Sequence, residues 1–343
     1  MNKIIKHSQI LTGLWQLAGG HGEINQELAN KIFLKSIDSG FYVFDMADIY
    51  TGVEEKFGSF LKKLQESDPH LASKIKIHTK CVPDKSILPV LKPINIIETV
   101  ERSISRLNVK RLDLVQFHWW DFKIKGYLDA IQTLDKLKKA GKITEIGLTN
   151  FDTKRLQEII STGVKIKSIQ IQYSLVDRRV EKNMLEIAIK NNIQFYCYGT
   201  LAGGFLTNKW LGAKKSEINA LENRSLVKYL LIIEEIGGWD TFQKLLVFIN
   251  EIAIKKGLNI AQIANLYILQ KDNVAGIIIG ASKNYFKNNL NLLLENLLSD
   301  LEISSINNFI NKNLKPLYGD VYQLERESLK HSGIIRTNEN KKN

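Results

Sequence analysis

The strongest constraint on the fold of this chain is a repeated alternation between short strand-like runs and longer helical patterns. Eight apolar runs recur along the 343 residues, and segments with apolar residues at three- and four-residue spacing separate them. Strands that alternate with helices pair in parallel through right-handed crossovers. The eight runs are Ile10–Leu17, Phe41–Asp45, Ile75–Lys80, Leu112–His118, Ile143–Thr149, Ser168–Tyr173, Gln194–Gly199 and Val274–Gly280.

Eight such units predict an α/β fold, a (β/α)8 TIM barrel with a long insert after strand seven and C-terminal helices. A doubly wound open sheet is the alternative, and it usually carries G-x-G-x-x-G after an early strand. That hexad is absent from the sequence, so the barrel is preferred. We expect one domain over residues 1–324 and a charged C-terminal tail over 325–343.

The composition indicates an ordinary globular protein with a basic surface. The formal charge is +12, from 48 Lys and Arg against 36 Asp and Glu. The lysines are scattered and form no basic helix, so a solvated surface explains them better than a nucleic-acid site does. The charge also suits an anionic cofactor. Two cysteines cannot build a disulfide framework, and neither a signal peptide nor a membrane span is recognisable. These features predict a cytoplasmic protein without nucleic-acid or membrane partners.

Three consecutive runs end on ionisable side chains: the second on Asp45, the third on Lys80 and the fourth on His118. Barrels carry their chemistry at the carboxyl ends of the strands, so these side chains should share one rim with Tyr50, which follows shortly after Asp45. Taken singly, each has a simpler explanation as a core histidine, a solvated lysine or a helix cap. Their occurrence together favours an active site.

The four side chains suit proton transfer to a carbonyl oxygen. An unperturbed phenol has a pKa of about 10, and an ammonium group beside Tyr50 would lower that pKa. Asp45 would keep Lys80 charged, and His118 would donate or accept a hydrogen bond at the substrate oxygen. Because no nucleophile or metal cluster is recognisable, the attacking species should be a hydride from a cofactor.

At these positions the sequence resembles the aldo-keto reductase family over nearly its whole length. The matching motifs are Phe44-Asp45-Met46-Ala47-Asp48-Ile49-Tyr50, Glu54-Glu55-Lys56-Phe57-Gly58, Thr79-Lys80 and Phe117-His118-Trp119. The resemblance implies a catalytic tetrad of Asp45, Tyr50, Lys80 and His118, with Tyr50 as the acid-base residue. It also implies a substrate pocket bordered by Trp15 and Trp119, with Trp120 as a further candidate.

The resemblance further implies NADPH (NADP) as the cofactor. Gly147-Leu148-Thr149-Asn150-Phe151 is similar to the family's G-x-S-N-F motif, in which Asn150, with Gln170, would hold the nicotinamide carboxamide. Tyr198 would stack under the nicotinamide ring. The residues expected to contact the cofactor are Thr149, Asn150, Gln170, Tyr198, Gly280, Ser282, Lys283 and Asn289. Lys283 stands where an arginine is common, which weakens the expected grip on the 2′-phosphate.

The sequence therefore predicts an oxidoreductase that reduces an aldehyde or ketone to the alcohol with NADPH. Its partner would be a small carbonyl compound, and sugar, pyridoxal-like and xenobiotic carbonyls all remain open. The alternative is a nucleotide-sensing regulatory subunit of the same fold with little turnover. No metal site is expected.

Overall fold

The strands close into a parallel barrel in the order in which they occur along the chain. The computed structural model describes residues 4–18, 25–215, 224–281 and 290–332. Each strand pairs with its successor, and the last strand pairs with the first, which confirms the predicted (β/α)8 fold. The strands are β1 Ile10–Gly13, β2 Val43–Asp45, β3 Lys76–Cys81, β4 Leu112–Phe117, β5 Ile143–Thr149, β6 Ser168–Gln172, β7 Gln194–Tyr198 and β8 Val274–Gly280.

The helices surround the barrel and fill the connection after β7. They are α1 Gln26–Asp38, α2 Val53–Ser67, α3 Pro69–Lys74, α4 Pro93–Leu107, α5 Tyr127–Lys139, α6 Thr153–Ser161, α7 Asn183–Lys190, α8 Arg224–Glu235, α9 Gly238–Lys256, α10 Ile260–Leu269, α11 Leu292–Glu295, α12 Asp300–Asn313, α13 Gln323–Glu327 and α14 Leu329–Ser332. None of them is long and apolar enough, within the described residues, to cross a membrane.

Helix α1 illustrates how local sequence sets the elements. Its N-cap Asn25 accepts a hydrogen bond from the Leu28 backbone N–H at 2.9 Å, the role in which short polar side chains are preferred. Gly40 follows the helix with φ of 82°, a conformation that glycine adopts without a Cβ clash. The chain can therefore turn directly into β2.

Strand β2 is oriented by an aromatic cluster on its outer face. The Phe44 ring lies 4.8 Å from Phe57 of α2 and 6.1 Å from Phe33 of α1, between ring centroids. Because side chains alternate along a strand, packing Phe44 outward turns Val43 and Asp45 toward the barrel interior. The hydrophobic packing between the strands and helices thus fixes the direction in which the Asp45 carboxylate points.

Two regions differ in detail from the prediction. Strand β1 ends at Gly13, four residues before the predicted end, because Trp15–Leu17 form a 3-10 helix. The segment predicted to be a charged tail begins with α13 and α14, and Glu325 is only 6% exposed. The remainder of that segment, residues 333–343, lies outside the described residues.

Candidate active site

A buried ion pair occupies the carboxyl ends of β2 and β3. The Lys80 ammonium donates to Asp45 Oδ2 at 2.7 Å and to the Met46 carbonyl oxygen at 2.8 Å. The side chains are 7% and 5% exposed. Burial opposes the charge on Lys80, but the neighbouring Asp45 and Tyr50 outweigh it and raise the pKa of the ammonium. Lys80 therefore stays charged inside the barrel.

Two glutamines complete the environment of the Asp45 carboxylate. Gln116 Nε2 donates to Asp45 Oδ1 at 2.9 Å, and Gln170 Nε2 donates to the same oxygen at 2.7 Å. Gln170 Nε2 also donates to Gln116 Oε1 at 3.0 Å. Both carboxylate oxygens thus accept hydrogen bonds, as a buried charge requires. Gln116 was not among the predicted site residues.

Tyr50 lies beside this pair, with the Lys80 ammonium 5.1 Å from its ring centroid. Burial raises the pKa of the Tyr50 phenol, and the positive charge of Lys80 lowers it. The net direction is upward, whereas the sequence argument considered only the lowering effect of Lys80. The phenol keeps its proton at neutral pH, as an unperturbed tyrosine does. Because its pKa is raised further, release of the proton depends on the Lys80 charge, which stabilises the phenolate.

His118 is held as a neutral ring. Its Nδ1 lies 3.2 Å from the Thr149 carbonyl oxygen, which can only accept, so Nδ1 carries the hydrogen. Burial lowers the pKa of His118 to about 4, although the contact with Thr149 opposes this. The neutral ring therefore keeps a lone pair on Nε2, and at that atom it can accept a hydrogen bond.

The three predicted pocket tryptophans occupy different environments. Trp15 is 39% exposed on the 3-10 helix after β1. Trp119 is 1% exposed, and its indole N–H donates to the carbonyl oxygens of Asp121 and Ile124. Trp120 is partly buried, and its ring meets His118 edge-on at 4.5 Å between centroids. Trp120 therefore contacts His118, while Trp119 is buried and hydrogen-bonded to the loop after β4.

The side chains expected to hold the nicotinamide lie on the opposite arc of the rim. The Tyr198 hydroxyl donates to Asn150 Oδ1 at 2.9 Å, which leaves the amide N–H groups of Asn150 as donors. Gln170 uses its amide nitrogen on Asp45 and Gln116, which leaves its Oε1 as an acceptor. Neither group has a hydrogen-bond partner in the described part of the chain, and a donor group beside an acceptor matches the two ends of a carboxamide.

The C-terminal segment around α13 packs against the residues expected to hold the nicotinamide. The Tyr322 hydroxyl lies 3.3 Å from that of Tyr198 and accepts from the Gln172 backbone N–H at 3.1 Å. Arg326 donates to the Asn150 carbonyl oxygen at 2.8 Å and pairs with Asp152. The segment thus contacts two of the three residues expected to meet the nicotinamide, Tyr198 and Asn150.

A buried ion pair anchors that segment to the barrel. Arg179 donates to both carboxylate oxygens of Glu325, at 2.7 and 2.9 Å, and to those of Asp177, at 2.7 and 2.9 Å. Bidentate pairing of this kind is strong and directional. Because 146 positions separate Arg179 from Glu325, local sequence patterns could not reveal the contact.

The adenosine side of the predicted site is described only in part. Gly280 ends β8 beside β1, and a Cβ there would lie 2.0 Å from Gln16 Nε2. Gln16 Oε1 is buried without a hydrogen-bond partner among the described residues. Close backbone approach and an unused acceptor are compatible with a polar ligand at this edge. Ser282, Lys283 and Asn289 lie outside the described residues.

Comparison with known proteins decides the family. The sequence profile of the Aldo/keto reductase family matches residues 9–311, nearly the whole chain. The chain belongs to the aldo/keto reductase family. This aldo/keto reductase resembles a glycerol dehydrogenase from Gluconobacter oxydans in fold, with a TM-score of 0.70 and 21% identity over 93% of this chain and 97% of that one.

Two curated relatives from Escherichia coli (strain K12) carry names for aldehyde reduction. The NADH-specific methylglyoxal reductase is 27% identical over 58% of this aldo/keto reductase and 65% of its own length. The chain thus matches just under two thirds of that relative. The L-glyceraldehyde 3-phosphate reductase is 24% identical over 87% of both chains.

Proposed function

We propose that this aldo/keto reductase reduces a short aldehyde to the alcohol with hydride from a reduced nicotinamide nucleotide. The observation that carries the proposal is the buried Asp45–Lys80 pair beside Tyr50, at 2.7 Å between Lys80 Nζ and Asp45 Oδ2. A buried charge pair that only stabilised the fold could be replaced by apolar residues at little cost. The names of the two E. coli relatives support a short aldehyde as the substrate.

In this proposal the side chains of the protein carry out the proton transfer. Tyr50, whose pKa burial raises, donates its proton to the carbonyl oxygen. Lys80 stabilises the resulting phenolate by its charge, and Asp45 holds Lys80 in place through the 2.7 Å contact. His118, with its lone pair on Nε2, accepts a hydrogen bond from the product hydroxyl. When bound, the reduced nicotinamide supplies the hydride to the carbonyl carbon.

Substitution Tyr50→Phe tests the proposed acid. It removes one hydroxyl and keeps the ring, so we expect the turnover number for methylglyoxal to fall by about two to four orders of magnitude, with nucleotide affinity nearly unchanged. The decrease in nucleotide absorbance reports turnover, and quenching of tryptophan fluorescence reports binding. Turnover like that of the wild type would remove Tyr50 from the mechanism. Nucleotide binding by the wild type with no turnover across an aldehyde panel would favour the sensor alternative.

We propose NADPH as the preferred nucleotide, since Lys283 stands where the family motif contacts the 2′-phosphate. The name of the methylglyoxal reductase favours NADH instead. Replacing Lys283 by alanine should raise the KM for NADPH about tenfold, the loss of roughly one charge-assisted contact, and leave the KM for NADH unchanged. Steady-state kinetics with both nucleotides measure this. A lower KM for NADH in the wild type would reverse the assignment.

A further inference from the structure

A polar pocket opens at the end of the barrel opposite the candidate active site. Its volume is about 430 Å³. Four of the lining residues, Val43, Lys76, Gln194 and Val274, are the first residues of β2, β3, β7 and β8, which places the pocket at the amino ends of the strands. The residues that line it are Lys6, Ser8, Gln9, Val43, Lys76, His78, Gln194, Tyr196, Val274 and Ala275.

The lining is rich in cations and hydrogen-bond donors. Lys6 and Lys76 contribute two ammonium groups, and none of the ten lining residues carries a carboxylate. Lys76 is paired at 3.3 Å with Asp113, which lies outside the lining, and its side chain remains 55% exposed. A pocket of this size fits a metabolite and is larger than a single inorganic ion requires. The positive charge of the two lysines therefore favours an anionic ligand.

His78 lines the same pocket with an unsatisfied nitrogen. The residue is 7% exposed, and its Nδ1 has no hydrogen-bond partner within the described part of the chain. Its ring meets Tyr196 edge-on, 4.9 Å between centroids, a contact that leaves both ring nitrogens without a polar partner from that residue. An unpaired buried nitrogen is uncommon in native structures and calls for an explanation.

We propose that this pocket binds a small organic anion through a phosphate or carboxylate group. The oxyanion lies between Lys6 and Lys76, and the body of the ligand packs on Val43, Val274 and the Tyr196 ring. A polar group on the ligand gives His78 the partner that the protein does not supply. The pocket opens at the amino ends of β2 and β3, whereas Asp45 and Lys80 lie toward their carboxyl ends. His78 lies between the two sites, because it is paired in register with Asp45.

Isothermal titration with three matched probes tests the proposal on the full-length protein. Glycerol 3-phosphate supplies a phosphate, malate supplies carboxylates and glycerol is the neutral control. We expect one of the two anions to bind and glycerol not to bind. The double substitution Lys6→Gln and Lys76→Gln should weaken that binding about tenfold or more. Failure of both anions to bind the wild type at millimolar concentration overturns the proposal.

A charge-matched variant and a histidine probe locate the binding. Lys62 and Lys63 are adjacent and exposed on α2, so Lys62→Gln with Lys63→Gln changes the net charge equally and should bind the anion like the wild type. The His78 ring protons, assigned by their loss in His78→Gln, should shift in the NMR spectrum as the anion is added. Equal weakening in both double variants, or an unchanged His78 signal, places the anion elsewhere and rejects this pocket.

Discussion

The amino-terminal and carboxyl-terminal halves of strand β3 place ionisable side chains, His78 and Lys80, in the same barrel interior under opposite conditions. At the carboxyl end Lys80 meets Asp45 at 2.7 Å, and its pKa is raised although burial acts against its charge. Two residues earlier His78 has an unpartnered Nδ1, and burial lowers its pKa to about 4 despite the charges of Asp45 and Asp113. One group is charged and the other is neutral.

The difference shows what a barrel interior requires of a charge. Removing an ion from water costs several kcal/mol even after the protein relaxes, and only a partner at hydrogen-bond distance offsets that cost. The carboxyl end supplies the partner through Asp45, which Gln116 and Gln170 hold in turn. His78 has no hydrogen-bond partner at Nδ1 among the described residues. It is therefore held neutral, although Asp45 is its neighbour in the β2–β3 register. A side chain that stays charged in the barrel interior, such as Lys80, therefore marks the carboxyl end of the strands, where we propose that the reaction takes place.

Substitution Asp45→Asn should produce the largest effect, because it leaves the Lys80 ammonium buried without its counter-ion. We expect a loss of about 3–5 kcal/mol in the free energy of unfolding, measured by urea denaturation. The matched control is Asp113→Asn, which breaks the exposed pair with Lys76 at the other end of β3. That control should cost about 1 kcal/mol or less.

A double variant separates the charge effect from packing. Adding Lys80→Met to Asp45→Asn removes the stranded ammonium, so the double variant should be less destabilised than the sum of the two single variants. Equal losses for Asp45→Asn and Asp113→Asn would contradict the comparison between the two ends, since it would mean that burial adds nothing to the cost.

The barrel could be predicted from the sequence because hydrophobic periodicity depends only on residues that are close together along the chain. Seven of the eight strand-like runs contain a strand of the structure, and β3 extends one residue past its run to Cys81. The largest error is the end of β1, where Trp15–Leu17 turn into a 3-10 helix. The tetrad was predictable for a related reason. In a parallel barrel the carboxyl ends of all strands reach the same rim. Because Asp45, Lys80 and His118 each lie within one residue of such an end, order along the chain was enough to predict a shared rim.

Other parts of the site depend on contacts between distant residues. Gln116 meets Asp45 across 71 positions, and a glutamine inside a strand gives no signal of its partner. The anchoring of Glu325 by Arg179 was equally hidden, because charged residues near a terminus are usually solvated. The sequence left both Trp119 and Trp120 as candidates for the pocket wall for another reason. Only the backbone turn after β4 decides which indole meets His118.

The smallest expected effect concerns His78 and depends on pH. An unfolded histidine has a pKa of about 6.5, and burial holds the pKa of folded His78 at about 4. The unfolded chain therefore binds more protons between these values, so the wild type should lose stability as pH falls from about 6.5 to about 4. His118, with its pKa also lowered to about 4, acts in the same direction.

Substitution His78→Leu removes one of these two contributions. Near pH 7 we expect stability to change by about 1 kcal/mol or less, because the loss of an unsatisfied nitrogen offsets the loss of the edge contact with Tyr196. Near pH 5 the variant should be more stable relative to the wild type than it is near pH 7. Urea denaturation at several pH values measures both, with the exposed His70→Gln as the control substitution. Parallel stability curves for His78→Leu and the wild type would mean that His78 is not held neutral, and the contrast between the two halves of β3 would then rest on Lys80 alone.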